Sequence, residues 1–341
     1  MVQSDNKIRT HSIKKCYICG TQGELLYQDL KDRIFDAPGE WNFLKCPNLE
    51  CGLVWLDPMP MFEDIGKLYV NYYTHYNMRV GSFLYRLFQR AKNDYLRFKH
   101  SALHTKIYGR FLGLLLYLHP SRRFDADIIV TQLPVLGRRL LEVGCGSGRD
   151  LIRFQELGWE AEGIDIDHIA VKTAHAKGLN VHLGQVSEQK YSEGFFDVVV
   201  MSHVIEHVPE PVTLLQECHR VLKNGGYLVA YSPNVRSLGH RLYKSNWRGL
   251  EPPRHLYLFS KDTLLCLARK AGFTEGYCHI IPRAHWIWKA SNMLQRRSES
   301  NMIHKICIGK LLAEIADYIE LLFQRFDEQA GEEILLIAIR S

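Results

Sequence analysis

The 341-residue sequence lacks any long apolar segment. Its longest, residues 111–118, is far shorter than the roughly 20 residues that a membrane-spanning helix needs. It also lacks the charged-then-apolar start of a secretion signal. Charged residues make up 23% and hydrophobic residues 46%, as in ordinary globular proteins. These features argue against an integral membrane protein, and we expect a cytosolic protein with one large domain or two modest ones.

Positive charge is unevenly distributed. Residues 61–130 carry eleven lysines and arginines against five acidic residues, which accounts for the whole formal charge of +6. Apolar residues recur there at helical spacing over 83–98 and 103–118, so we predict a helical collar or lid. Its basic surface suits an anionic partner, and a solvated helix face is the alternative. Peripheral contact with a membrane surface is the alternative to a collar or lid.

A disulfide framework is not expected of the nine cysteines in a cytosolic chain. Four of them form two short pairs, Cys16 with Cys19 and Cys46 with Cys51, and a glycine follows each pair. This spacing predicts four thiolate ligands for one structural Zn²⁺ in a small ribbon over residues 1–60, whereas free core thiols are the alternative. The other five cysteines lie among apolar neighbours and are expected in the core.

From about residue 131, strand and helix patterns alternate. Such alternation is typical of an α/β fold with a doubly wound parallel sheet, here over 131–341 with a helical insertion at 282–331. The predicted strands are 139–143, 160–164, 180–183, 196–201, 227–231, 276–281 and 332–340. The predicted helices are 148–157, 168–177, 211–222, 261–271 and 303–326.

The first of these strands runs into a glycine-rich turn, Gly144-Cys-Gly-Ser-Gly148, and then into a helix. Such a segment suits a nucleotide-like ligand, because glycine lets the backbone approach closely and the helix N-terminus presents free amides. The dinucleotide fingerprint would need glycine where the chain has Arg149. Glu142, two positions before the turn, suits a positively charged ligand. Asp165, at the end of the next strand, could accept hydrogen bonds from a ribose diol or cap a helix.

This pattern resembles motif I of the class I S-adenosylmethionine-dependent methyltransferases, over residues 139–281. The resemblance implies a Rossmann-like seven-stranded sheet, with Glu142 at the methionine amino group and Asp165 at the ribose. The family usually has an acid at the adenine amino group where this chain has Gln185, although an amide can also accept there. The residues implied to contact the cofactor are Glu142, Gly144, Gly146, Gly148, Asp165, Ile166, Gln185, Val186, Met201 and His203.

The fourth predicted strand is followed by His203-Val-Ile-Glu206-His207-Val-Pro209. This string would suggest a zinc protease on a long helix, but the proline stops any long helix here. A similar Glu-His-Val segment occurs in small-molecule methyltransferases acting on quinones and sugars, where it faces the transferred methyl group. We therefore expect His203, Glu206 and His207 to line the acceptor site, with one acting as base. A divalent ion bound by these three side chains, or purely structural histidines, are the alternatives.

The insertion after the fifth predicted strand contains Trp247-Arg-Gly-Leu-Glu-Pro-Pro-Arg-His255. It resembles the Trp-x-x-Leu-x-Pro-Pro-x-His-x-x-x-Phe-Ser pattern of bacterial methyltransferases associated with polysaccharide assembly. The resemblance makes His255 the leading general base, with His207 second. Trp247 and Tyr257 could stack on a sugar ring while Arg254 holds an anionic group. A histidine merely packed in a lid is the alternative.

The sequence thus predicts an S-adenosylmethionine-dependent methyltransferase that O-methylates a saccharide or lipid-linked glycan precursor. Its partner would be a small-molecule or glycan acceptor, which can be anionic. Methylation of a quinone or phenol is the alternative. Arg149 and Glu142 disfavour a nicotinamide dehydrogenase. A nucleic-acid methyltransferase or RNA-binding zinc protein is disfavoured too, because no Asn/Asp-Pro-Pro-Tyr/Phe turn follows the fourth strand.

Overall fold

The computed structural model describes residues 8–69, 139–298 and 315–341. The predicted collar beyond residue 69 and the predicted helix over 303–314 lie outside the described residues. None of the helices in the three described ranges has the length and apolar character that crossing a bilayer requires.

The N-terminal segment folds into short antiparallel strands. They are β1 (Thr10–His11), β2 (Glu24–Leu30), β3 (Trp41–Lys45), β4 (Val54–Asp57) and β5 (Met59–Pro60). Strands β2 and β3 form an antiparallel hairpin, and β4 pairs with β3. A 3-10 helix, Phe62–Tyr69, follows β5 and leads away from the ribbon.

Seven further strands form the central sheet. The strands of the remaining chain are β6 (Arg139–Val143), β7 (Glu160–Asp165), β8 (Val181–Leu183), β9 (Phe196–Ser202), β10 (Leu222–Pro233), β11 (Tyr257–Leu258), β12 (Glu275–Ile281) and β13 (Glu333–Ile339). All except β11 belong to this sheet, in the order β8-β7-β6-β9-β10-β13-β12, and β13 runs antiparallel to both neighbours. The predicted seven-stranded doubly wound sheet is confirmed. Strand β10 pairs with β9 through Leu222 and again from Tyr227 onward, with an irregularity between these two residues.

Helices cover the sheet, which explains why its strands are apolar on both faces. The helices of the described part are α1 (Arg149–Glu156), α2 (His168–His175), α3 (Pro211–Val221), α4 (Leu238–Tyr243), α5 (Lys261–Lys270), α6 (Ala284–Ser298) and α7 (Ala316–Phe323). Asp167 caps α2 by accepting a hydrogen bond from the Ile169 amide at 2.9 Å. Helix capping was the alternative role for Asp165, and the structure gives that role to Asp167.

The ribbon shares a sheet with the insertion that follows β10. Strand β11, from the insertion between β10 and α5, pairs antiparallel with β4, and the Leu56 amide donates to the Leu256 carbonyl. Beside this junction, Arg254 is only 1% exposed. Its guanidinium donates to Asp32 Oδ2 at 2.8 Å, to Glu251 Oε1 at 3.0 Å and to the Leu68 carbonyl at 3.1 Å. A buried cation thus ties three segments together.

Substituting Arg254→Met should lower the free energy of unfolding by about 3–5 kcal/mol, because Asp32 would stay buried without its cation and Glu251 would keep only Arg248. Urea denaturation measures this loss. Arg236→Met is the matched control, since it removes only the exposed Arg236–Asp262 pair and should cost less than about 1 kcal/mol. Equal losses in the two variants would show that the Arg254 network does not stabilise the junction.

Candidate active site

The order of strands in the central sheet reverses between β6 and β9. In open α/β sheets, ligands bind beyond the carboxyl ends of the strands at such a switch point. The turn after β6 carries Gly144, Gly146 and Gly148 with φ of +70°, +55° and +78°, in the left-handed region that favours glycine. A Cβ on Gly144 would lie 2.4 Å from Val204 Cγ2, so this turn packs directly against the loop after β9. A Cβ on Gly146 would meet no described atom within 4 Å, which leaves open space for a ligand.

Asp165, at the end of β7, lies against the same turn. Its Oδ2 accepts a hydrogen bond from the Gly146 amide at 2.7 Å, and its Oδ1 accepts one from the Asp167 amide at 2.8 Å. These contacts fix the carboxylate, although burial raises its pKa. The next residue, Ile166, is 62% exposed and offers an apolar surface beside it. A fixed acid next to an apolar surface suits a ribose and its base.

Glu142 is buried on β6, and its Oε2 has no hydrogen-bond partner within the described part of the chain. Burial, and then the nearby charge of Asp150, raise the pKa of Glu142 well above its usual range. An unpartnered buried carboxylate oxygen is costly unless a ligand completes it. A cationic ligand group at the glycine turn would supply that missing partner.

The remaining residues predicted to contact the cofactor divide into exposed and buried positions. Gln185 is exposed just after β8, and its backbone N–H donates to Glu188 Oε2. Val186 and Met201 are buried in the hydrophobic core. Their proposed contacts with a cofactor stay predictions.

His203 begins the loop after β9 with a φ of +55°, unusual for a residue with a side chain. Its Nδ1 lies 3.2 Å from Glu206 Oε1, and its Nε2 lies 3.3 Å from Glu333 Oε1. Burial opposes a charge on the imidazole, but the two carboxylates prevail and raise the pKa of His203 to about 10. A cationic imidazole cannot accept a proton. The structure therefore corrects the expectation that His203 could be the base and makes it a residue that positions Glu206.

His207 and His255 meet edge to face, with ring centroids 4.7 Å apart. His207 Nδ1 lies 3.0 Å from the Arg254 carbonyl oxygen, and His255 Nδ1 lies 2.6 Å from the Gly249 carbonyl oxygen. Because a carbonyl oxygen only accepts, each Nδ1 carries the proton and each Nε2 keeps a lone pair. Burial lowers the pKa of both rings, that of His255 to about 4. The two predicted bases are thus adjacent and neutral near pH 7.

Three predicted substrate contacts are instead structural. Arg254 is held by Asp32 and Glu251, so it is not placed to bind an anionic substrate group. Trp247 is buried and donates from Nε1 to a Glu332 carboxylate oxygen at 2.8 Å. Tyr257 is buried as well. The expectation that these side chains present faces and charge to a sugar is wrong, because all three are buried and bonded to other segments of the chain.

The site also contains side chains that the sequence did not reveal. The Tyr69 hydroxyl lies 3.0 Å from His207 Nδ1, and Glu333 reaches His203 from β13. Glu251 Oε2 lies 3.6 Å from His255 Nε2 and is itself bound by Arg248. Tyr69 begins an aromatic stretch whose spacing carries no signal, and Glu333 lies in an apolar strand.

The four N-terminal cysteines converge far from these histidines in the chain. The Sγ atoms of Cys16 and Cys51 are 3.6 Å apart, and those of Cys19 and Cys46 are 3.4 Å apart. All four lie within 4.8 Å of one another. Four thiolates about 2.3 Å from a tetrahedral zinc would be about 3.8 Å apart, so the cluster fits this metal.

Comparison with known proteins identifies the domain that contains the glycine turn and the loop after β9. A methyltransferase-domain family model matches residues 117–275. The ubiquinone biosynthesis O-methyltransferase of Cereibacter sphaeroides is 31% identical over 185 residues, which cover 50% of this chain and 74% of that protein. The protein of the same name from Thiobacillus denitrificans is 34% identical over 118 residues, covering 33% of this chain and 51% of that protein.

Among solved structures, a SAM-dependent methyltransferase from Archaeoglobus fulgidus has 21% identity and a TM-score of 0.44, with 69% of this chain and all of that chain covered. The family model and the sequence relatives define the class. The chain belongs to the class I S-adenosylmethionine-dependent methyltransferases, and it is an enzyme of that class.

Binding of S-adenosylhomocysteine should weaken as the pH falls. The raised pKa of Glu142 means that its carboxyl is protonated at low pH, whereas the ammonium of the ligand needs the carboxylate. Binding must then release a proton, which costs about tenfold in affinity per pH unit below that pKa. Calorimetry in buffers of different ionisation enthalpy would detect the released proton.

In the same experiment, Glu142→Gln should bind more weakly and show a smaller pH dependence, since Asp165 still titrates. Glu160→Gln is the control, because Glu160 is exposed at the other end of the neighbouring strand. A wild-type pH slope in Glu142→Gln would contradict the assignment of Glu142 to the ligand ammonium.

Proposed function

We propose that this enzyme transfers a methyl group to the hydroxyl of a small phenol or quinol. The observation that carries the proposal is the pair of neutral imidazoles, His207 and His255, at the edge of the sheet beside the glycine turn. The names of the ubiquinone biosynthesis relatives support an aromatic hydroxyl as the acceptor.

The residues at the switch point fit the cofactor. S-adenosylmethionine, when bound, supplies an electrophilic methyl group on a sulfonium. Glu142 would accept hydrogen bonds from the ammonium, and Asp165 would accept them from the ribose hydroxyls. Ile166 and Gln185 would flank the adenine. Holding both reactants in line in this way is worth about 7–11 kcal/mol of the barrier.

The proton of the acceptor hydroxyl must leave as the new bond to carbon forms. His255 or His207 can take it, because each Nε2 has a lone pair while each Nδ1 is held by a backbone carbonyl. General-base catalysis of this kind contributes about 10²–10⁴-fold to the rate. His203 would hold Glu206 in place beside them.

A saccharide or lipid-linked glycan acceptor has less support. That hypothesis relied on Trp247, Tyr257 and Arg254, and all three are buried. Contact of the basic region 61–130 with a membrane also stays a proposal, which rests on its charge alone. A quinol with an apolar tail would be reached most readily by an enzyme at a membrane surface.

We further propose that Cys16, Cys19, Cys46 and Cys51 hold a structural Zn²⁺. The distances between their sulfurs suit a tetrahedral site. With four thiolates and no open position, the metal would not take part in the chemistry.

Methyl transfer from labelled S-adenosylmethionine should be detected with phenols and catechols rather than with nucleotide sugars. His255→Ala should lower kcat by about 10²–10⁴-fold because it removes the proposed proton acceptor, while S-adenosylhomocysteine still binds. The control is His182→Ala, because this histidine lies on β8 with its ring beside Glu162. Label found only in glycans would overturn the proposed acceptor, and full turnover in His255→Ala would remove this histidine from the mechanism.

Metal analysis of the purified protein should find one zinc per chain at the cysteine cluster. Cys46→Ser should lose that zinc and lower the Tm, since structural zinc contributes directly to folding. Cys266→Ser changes a cysteine outside the cluster and should retain both. A wild-type protein free of zinc, or a Cys46→Ser variant of unchanged Tm, would exclude the zinc ribbon.

A further inference from the structure

We infer that Tyr69, the last residue of the 3-10 helix after the ribbon, is a positioning residue for methyl transfer that acts through His207. Its hydroxyl oxygen lies 3.0 Å from His207 Nδ1, and the two rings meet edge to face with centroids 6.1 Å apart. His207 is one of the two histidines proposed to take the acceptor proton, so this inference rests on the proposed function. A tyrosine from the N-terminal part of the chain thereby sets the state of a base in the methyltransferase domain.

Arg254 joins the two side chains through a common partner. Its guanidinium donates to the carbonyl oxygen of Leu68, the residue before Tyr69, at 3.1 Å. Its own carbonyl oxygen lies 3.0 Å from His207 Nδ1. Leu68 and Arg254 are both buried. One buried residue thus fixes Tyr69 through its side chain and His207 through its main chain, and this holds the hydroxyl at the imidazole.

The Nδ1–H of His207 is shared between two oxygens. A carbonyl oxygen only accepts, so Nδ1 carries the proton, and the Tyr69 hydroxyl oxygen can accept it as well. When Nε2 takes the acceptor proton, the ring becomes a cation, and a charged donor forms the stronger hydrogen bond. The Tyr69 hydroxyl therefore stabilises the protonated ring more than the neutral one and makes His207 a stronger base.

Tyr69 suits this role because its hydroxyl stays protonated. Burial raises the pKa of Tyr69, and the charges of Glu251, Glu206 and Asp165 raise it further, while Arg254 opposes them. Asp165 belongs to the cofactor side of the site, and Glu206 and Glu251 belong to the acceptor side. The hydroxyl is thus neutral and lies close enough to both sides to be affected by their charges.

Other groups also act on His207 from the elements packed around it. Burial lowers its pKa, Glu206 and Glu251 raise it, the Arg254 carbonyl raises it, and the cationic His203 lowers it. The His255 ring lies edge to face against it. All of these groups remain when only the Tyr69 hydroxyl is removed, so a change in the pKa of His207 would report on that hydroxyl.

Packing alone is the competing role for Tyr69. The edge-to-face contact would keep water away from His207 without any help from the hydroxyl. The two roles predict opposite shifts in the pKa of His207. Loss of a hydrogen-bond acceptor lowers that pKa, because the protonated ring loses a partner, whereas entry of water raises it towards its ordinary value.

Tyr69→Phe removes the hydroxyl and keeps the ring. The titration of the His207 imidazole, followed by nitrogen NMR of the protein without cofactor, should move to lower pH by about one unit, as expected for one lost hydrogen bond to a cation. Tyr27→Phe is the matched control, because the Tyr27 hydroxyl lies at the same 3.0 Å from Nε2 of His240 on α4. It should leave the His207 titration unchanged. An unchanged or raised His207 pKa in Tyr69→Phe would overturn the proposal.

The same spectra test the unsubstituted protein, in case the variant misfolds. The neutral His207 ring should carry its proton on Nδ1. Protonation on Nε2 instead would remove the shared hydrogen bond and overturn the proposal without any substitution.

Kinetics at saturating S-adenosylmethionine provide a further measurement. Tyr69→Phe should lower kcat for a phenol by about tenfold with little change in KM, and the acid limb of kcat/KM should move to lower pH. Tyr27→Phe should behave as the parent does. A lower kcat with an unmoved acid limb would reduce Tyr69 to packing and overturn the proposal. A shifted His207 titration in a protein that methylates no phenol would support the Tyr69 contact and refute the acceptor alone.

Discussion

The pairing of β11 with β4 is the contact on which the arrangement of the active site depends. It joins the insertion after β10 to the N-terminal ribbon, and the buried Arg254–Asp32 pair reinforces the joint. The insertion is connected on its other side to the loop after β9, because the Leu256 amide donates to the Glu206 carbonyl at 2.8 Å. His255 is thereby held against His207. The ribbon is thus part of the scaffold that builds the acceptor side of the site.

Buried carboxylates are fully paired with cations at this joint but only in part at the edge of the central sheet. Around Arg254, each carboxylate has a cationic partner, as a buried charge requires. At the edge of the central sheet, Glu142 and Glu206 each retain a buried oxygen without a partner in the described part of the chain. One lies at the glycine turn and the other at the paired histidines. A cationic ligand group would stabilise each of these two oxygens.

Much of the fold could be predicted because its signals are local. The apolar segments of β6, β7 and β9 and the turn from Gly144 to Gly148 depend on neighbouring residues only. The two short cysteine pairs are local as well. Contacts between distant segments could not be predicted, and they decided the roles of several side chains. Trp247 and Arg254 are residue types that often bind sugars, yet both are buried. Trp247 donates a hydrogen bond to Glu332 and Arg254 to Asp32, and both partners lie far away in the chain.

The sequence by itself determined the class of the enzyme, since strand, glycine turn, helix and the acid at Asp165 follow one another at characteristic spacing. It also singled out His207 and His255 as chemically important. Only the tertiary structure decided how they are used. His203 cannot act as a base, because the carboxylates of Glu206 and Glu333 keep its imidazole protonated. Glu333 comes from the last strand, which lies beside β10. Protonation depends on which groups lie within a few ångströms, and chain order does not encode that for residues so far apart.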